Sequence, residues 1–229
     1  MSTSIKKNRH RIGMLGGAAA LAVIAAAVTY TGVQAQAPAV DVYRVEEDWE
    51  LIVTNADFNS NAPQVTCTIS PANMATAYCA FDINYHTQPD YQAGGLQIHT
   101  WDPTDPIEYA NSSHTGVMAG SSETVTWTQT MTLDPNAGSI VFQVINGQSQ
   151  TWNNFGGTKG ANPGHLYLTL PTALSNLNSY DSNVSLDNSG VSFGGNLVVS
   201  QTLIAVRYYD VNGKLISQNT TPQLVHPQQ

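Results

Sequence analysis

The chain has 229 residues, 8 Lys+Arg against 16 Asp+Glu, and only two cysteines. Four of the eight basic residues and none of the acids fall in the first 35 positions, so the remainder carries a net charge of −12 with Arg44, Lys159, Arg207 and Lys214 as its only fixed cations. Such a surface repels phosphate backbones and excludes nucleic acid as a partner.

Residues 1–35 read as a cleaved secretory signal peptide. Lys6, Lys7, Arg9 and Arg11 make a positive start, Ile12 to Val28 is apolar, and Val33-Gln34-Ala35 fits the small-x-small cleavage rule. The alternative is a retained anchor helix, for which the stretch is near the lower length limit. Cleavage predicts a secreted, periplasmic or cell-surface protein with no membrane contact afterwards. Residues 36–229 are the length of a single domain.

Val42 to Val53 reads as the first strand. Val45, Glu47, Trp49, Leu51 and Val53 share one face, and Glu46, Asp48 and Glu50 share the other. Acids opening a domain suggest a solvated edge strand, charged against aggregation. Next, Val65–Ile69 and Ala77–Phe81 alternate about the turn-like Ser70-Pro71-Ala72-Asn73. A hairpin centred on Asn73 sets Cys67 opposite Cys79 and predicts a disulfide in an oxidising compartment.

Leu96 to Trp101 is another strand, broken by Asp102-Pro103-Thr104-Asp105-Pro106, and residues 110–122 read as a surface loop. Asp102 and Asp105, with Glu108, could supply oxygens to Ca²⁺, although the prolines equally explain a plain turn. Glu123 to Leu133 alternates over eleven residues, with five threonines on one face. Ser139 to Ile145 follows, and Asn146-Gly147 is a tight-turn signal.

Trp152, Asn153, Asn154 and Phe155 set two aromatics beside two amides. A ring can stack on the apolar face of a sugar while amides bond its hydroxyls, so this is the candidate glycan-binding cluster. The competing reading is an aromatic pair capping the core. His165–Leu170, Val191–Phe193, Leu197–Tyr209 and Lys214–Ser217 complete the strands, and Pro171–Asn178 could make one helical turn. The histidines form no zinc pattern. Ten to fourteen short strands without helical periodicity predict an all-β, antiparallel β-sandwich of concanavalin A-like or jelly-roll type.

Glu123 to Trp152 reads as Trp-bearing strand, turn, apolar strand, Asn-Gly turn, and Ile204-Ala205-Val206-Arg207-Tyr208-Tyr209 places an Arg and a Tyr among apolar residues near the end. Together these resemble the central hairpins and closing strand of concanavalin A-like sandwiches, laminin G-type modules included. The chain also resembles exported bacterial proteins with an acidic first strand and a Val-Arg-aromatic ending, which brings no activity with it. The concanavalin-type resemblance implies carbohydrate or protein binding and, in its laminarinase-like branch, retaining glycoside hydrolysis. That branch carries Glu-x-Asp-x-Glu on a strand, a spacing matched by Glu46, Asp48 and Glu50. Glu47 departs from the apolar residue usual after the first Glu, and the family motif lies mid-chain.

The favoured expectation is an exported, non-enzymatic binding or structural domain, with a glycan or an envelope protein as partner and no obligatory cofactor. A glycosidase using Glu46 and Glu50 is the rival, and a protein–protein scaffold without a small ligand is the third reading.

Overall fold

The computed structural model describes residues 40–57, 59–60, 62–84, 95–102, 105–111, 116–118, 122–157 and 166–227. All of them belong to the compact unit Gln36–Gln229. It is an all-β, antiparallel sandwich of two sheets.

The larger sheet holds β1 (Arg44–Thr54), β6 (Ser122–Asp134), β7 (Ser139–Ser149), β8 (Asn153–Phe155), β9 (Leu166–Pro171), β11 (Val198–Tyr209), β12 (Leu215–Asn219) and β13 (Gln223–His226). Its order is β12-β11-β1-β6-β7-β8, with β13 also on β11 and β9 also on β7. The smaller sheet has the order β10-β2-β3-β4-β5, built from β10 (Gly190–Phe193), β2 (Gln64–Ile69), β3 (Tyr78–Ile83), β4 (Leu96–Asp102) and β5 (Asp105–Asn111). One short helix, α1 (Ser182–Asn188), is capped by the Asp181 carboxylate, which accepts from Asn183 N.

Alternation decides which side chains fill the space between the sheets. Val45, Trp49, Leu51 and Val53 of β1 are buried there with Val125, Trp127 and Met131 of β6 and Val65, Cys67 and Ile69 of β2. Trp49 and Trp127 are cross-strand partners whose rings stack at 6.3 Å, and Phe81 meets Trp127 edge-on at 5.5 Å. Each fully buried Phe or Leu here stabilises the fold by roughly 1.5–3 kcal/mol.

Three sequence expectations change. The first strand is not an edge: β1 lies between β11 and β6, with continuous pairing to β6 from Arg44 to Thr54. Asn146-Gly147 is not a tight turn. The strand runs on through it, and Asn146, at φ 56°, lies in a bulge of β7. The helix forms at Ser182–Asn188 rather than within Pro171–Asn178.

The proposed disulfide is also corrected: Cys67 and Cys79 are free thiols. The β2–β3 register pairs Cys67 with Phe81 and Ile69 with Cys79, so the hairpin centres on Met74. Asn73 sets this register, because its side chain accepts from Ala75 N and its carbonyl accepts from Thr76 N. That Asx-type turn places two more residues after Asn73 than before it and leaves the cysteines diagonal, where Cα atoms are about 7–8 Å apart and beyond ordinary disulfide reach. Both thiols lie in the core, and burial raises the pKa of each.

Candidate functional site

Period-two alternation sends Glu46, Asp48 and Glu50 to the outer face of the larger sheet, away from the core. Arg207 is the β11 partner of Glu46. Its guanidinium donates through Nε to Glu46 Oε2 at 2.9 Å and through Nη2 to Asp48 Oδ1 at 2.7 Å, and its Nη1 pairs with Asp48 Oδ2. Arg44 bonds the other oxygen of Glu46 at 2.5 Å, and Tyr209 donates to Glu46 Oε2 at 2.8 Å. Thr128 donates to Asp48 Oδ1 at 2.8 Å. The two carboxylates raise the pKa of Arg207 against the opposing effect of burial. Two of the four cations outside the first 35 residues are therefore spent on Glu46 and Asp48.

Glu50 differs. It has no hydrogen-bond or ion-pair partner among the described residues. It lines a groove of about 290 Å³ with Asp48, Thr126, Thr128, Asn146 and Ile204. Two irregularities shape this groove. The β1–β11 register slips between Asp48 and Trp49, which leaves Ile204 unpaired, and the β6–β7 register slips between Thr126 and Thr128, beside Asn146. Bulges re-aim side chains in this way and recur beside binding sites. The groove thus sets a carboxylate without a described partner, an exposed amide, the Thr126 hydroxyl and the apolar Ile204 beside the Asp48–Thr128 pair, whose hydroxyl proton is already donated. This donor and acceptor set suits a polyhydroxyl ligand.

The aromatic cluster is not a platform. Trp152 and Phe155 are each 1% exposed and belong to the core. Trp152 Nε1 donates to Gly116 O at 2.8 Å, and Phe155 stacks on Phe81 at 6.2 Å. Phe155 also lies over Gly147, where an added Cβ would come within 2.2 Å of its ring. Asn153 and Asn154 remain at the surface. The rings and amides therefore face different surroundings, and the cluster is withdrawn as a sugar platform.

Asp102 and Asp105 pair at the turn between β4 and β5; their side chains lie outside the described residues, as do His86, His114 and His165. Among the described residues no group of three His, Cys, Asp or Glu could hold a metal ion, and no helix is long and apolar enough to cross a membrane.

Two buried polar centres escape sequence reasoning. Glu47 lies in the core and accepts from Trp49 Nε1 at 2.9 Å, Tyr180 OH at 2.6 Å and Ser185 Oγ at 2.5 Å. Desolvation outweighs these bonds and raises its pKa from 4.5 to about 7. The signal was present, since Glu47 is the one acid on the apolar face of β1. On the smaller sheet, Asp82 Oδ2 lies 2.9 Å from His99 Nδ1 while Asp82 Oδ1 accepts from Thr66 at 2.6 Å. Nothing in the sequence linked these three, because their proximity depends on the register of β2, β3 and β4. Compared with known proteins, the chain matches no family model, no curated protein and no solved structure.

Proposed function

We propose that this protein is an exported, non-enzymatic binding module of the cell envelope or extracellular space. Its ligand is a neutral polyhydroxyl compound, a glycan by preference, taken on the outer face of the larger sheet. The observation that carries this reading is the groove where unpaired Glu50 meets Asn146, Thr126 and Thr128 between two bulges.

The ion pairs weigh against the hydrolase reading. A retaining glycosidase needs one carboxylate free to attack and another free to carry a proton. Glu46 is held by Arg44, Arg207 and Tyr209, and Asp48 by Arg207 and Thr128. A carboxylate held by guanidinium groups is a poor nucleophile, since its charge is already neutralised. Export rests on the basic, apolar and small-x-small order of residues 1–35.

A glycan array with the purified protein is the test. Binding that is lost in both Glu50→Gln and Asn146→Gly, a replacement that tolerates the left-handed backbone at that position, with unchanged melting temperatures, supports the groove. An array without hits favours the protein–protein scaffold. Sugar release from a β-glucan panel that disappears in Glu46→Gln and Glu50→Gln would replace the reading with a hydrolase.

A further inference from the structure

The stretch Leu177–Asn188, which includes α1, is fastened to the sandwich at three places. At its start Leu177 N donates to Val42 O at 2.7 Å, and Asn178 Oδ1 accepts from Val42 N at 2.9 Å. At its end Thr68 Oγ1 donates to Asn188 O at 3.0 Å, and Thr68 N donates to Ser189 Oγ at 2.9 Å. Between these, Tyr180 and Ser185 both donate to one oxygen of Glu47, Oε1. Tyr180 and Ser185 are themselves buried.

We propose that Glu47 is a proton-operated latch: protonated, it holds Leu177–Asn188 closed over the core, and on losing its proton it favours release of the middle of that stretch. The inference is independent of the ligand reading above.

The groups around Glu47 carry the argument. Cys67 faces it from β2, Tyr208 from β11, and Tyr180 and the capping Asp181 lie on the stretch itself; Gln129 is its partner on β6. Burial first, and the Glu47 charge to a lesser degree, raise the pKa of the thiol and of both phenols, so they stay neutral. Among the described residues no Lys, Arg or His makes an ion pair with Glu47. An ionised Glu47 therefore sits in the core with hydrogen bonds but without a countercharge, and opening the stretch gives it water.

The two carboxyl oxygens are not equivalent. Oε2 accepts from the indole N–H of Trp49, which cannot reverse. Oε1 meets two hydroxyls, which can rotate and accept. The proton therefore resides on Oε1, where it donates to Tyr180 or Ser185. The end of the stretch, Asp187 and Asn188, and the residues after it to Ser192 form one wall of a cleft of about 560 Å³ completed by Thr66, Val225 and His226. Release of the stretch would widen or reshape that cleft.

Hydrogen–deuterium exchange of the intact protein tests the latch. After correction for the intrinsic pH dependence of exchange, amides 181–187 are expected to exchange about tenfold faster per pH unit between about pH 5 and 7, and to level off above. The full rise is at most about 300-fold, the span from 4.5 to about 7. Amides of β6 serve as the control for global opening. Glu47→Gln, which can accept from Trp49 and donate to the hydroxyls, should abolish the rise. A rise that persists in Glu47→Gln, or its absence in the wild type, would overturn the latch. Should that variant fail to fold, isotope-edited infrared titration of the wild-type Glu carboxyls decides. A protonated buried carboxyl whose loss tracks the faster exchange supports the latch, and exchange that quickens without such a loss rejects it.

Discussion

Glu46 and Glu47 are neighbours in the chain and face opposite sides of β1. Glu46 meets two guanidinium groups and a phenol at the rim of the outer face, where water still reaches the cluster. Glu47 meets an indole, a phenol and a hydroxyl, all uncharged, in full burial. One peptide unit separates a carboxylate held by countercharges from one whose pKa is pushed up to about 7. Environment, not residue type, sets what a carboxyl group can do. Strand alternation is the device that puts two such environments side by side.

The sharpest way to break this contrast is truncation. Glu47→Ala strands the indole N–H and two hydroxyls without their acceptor and leaves a void, so unfolding in urea at about pH 6 should show a loss of roughly 3–5 kcal/mol. Glu46 is itself mostly buried, but its partners Arg44 and Arg207 are partly exposed and regain water, so Glu46→Ala should lose less, about 1–2 kcal/mol. Equal losses for the two variants would erase the distinction.

The next effect is a pH dependence of stability. Glu47 has a folded pKa raised above its unfolded value, so its contribution is fully present below about 4.5 and is lost as the pH rises through about 7. The loss should amount to about 3 kcal/mol across that window, and should vanish in Glu47→Gln. Denaturation midpoints taken every half pH unit would read it. The opposite slope in the wild type, relative to Glu47→Gln, would contradict the assignment.

Smaller effects probe the outer face. Arg207→Ala removes the shared partner of Glu46 and Asp48 and should cost about 1–2 kcal/mol, less in high salt because the guanidinium is partly solvated. A loss independent of salt would mean that packing of its stem matters more than its charge. Glu50→Gln should change stability by less than about 0.5 kcal/mol, since nothing described is bonded to that side chain. A larger destabilisation would show that Glu50 supports the fold, and it would then be a poor candidate for ligand contact.

Much of this was legible from alternation alone. The two faces of β1, the long β6 strand and the all-β class follow from side chains that alternate at period two, a local property of the chain. The acid at position 47 was also visible on the apolar face beside Trp49, although two of its three donors were not, because Tyr180 and Ser185 lie more than 130 residues away. Register was not legible. The cysteines looked mirrored about Asn73, but the side-chain and carbonyl bonds of that residue move the centre to Met74, and Phe81 takes the place expected for Cys79. For Trp152 and Phe155 the sequence offered both a sugar platform and a core pair; the sheet decides for the core, with Phe155 over Gly147 and Phe81 and the Trp152 indole bonded to Gly116 O.

The sequence by itself determined which residues share a face, because a pleated strand allows only two sides. The tertiary structure decided which strand sits in the middle of a sheet, which carboxylate meets Arg207 and which is left in the core with only neutral donors. Those outcomes depend on pairing between segments far apart in the chain, where many registers satisfy the same alternation and only packing of the whole sandwich selects one.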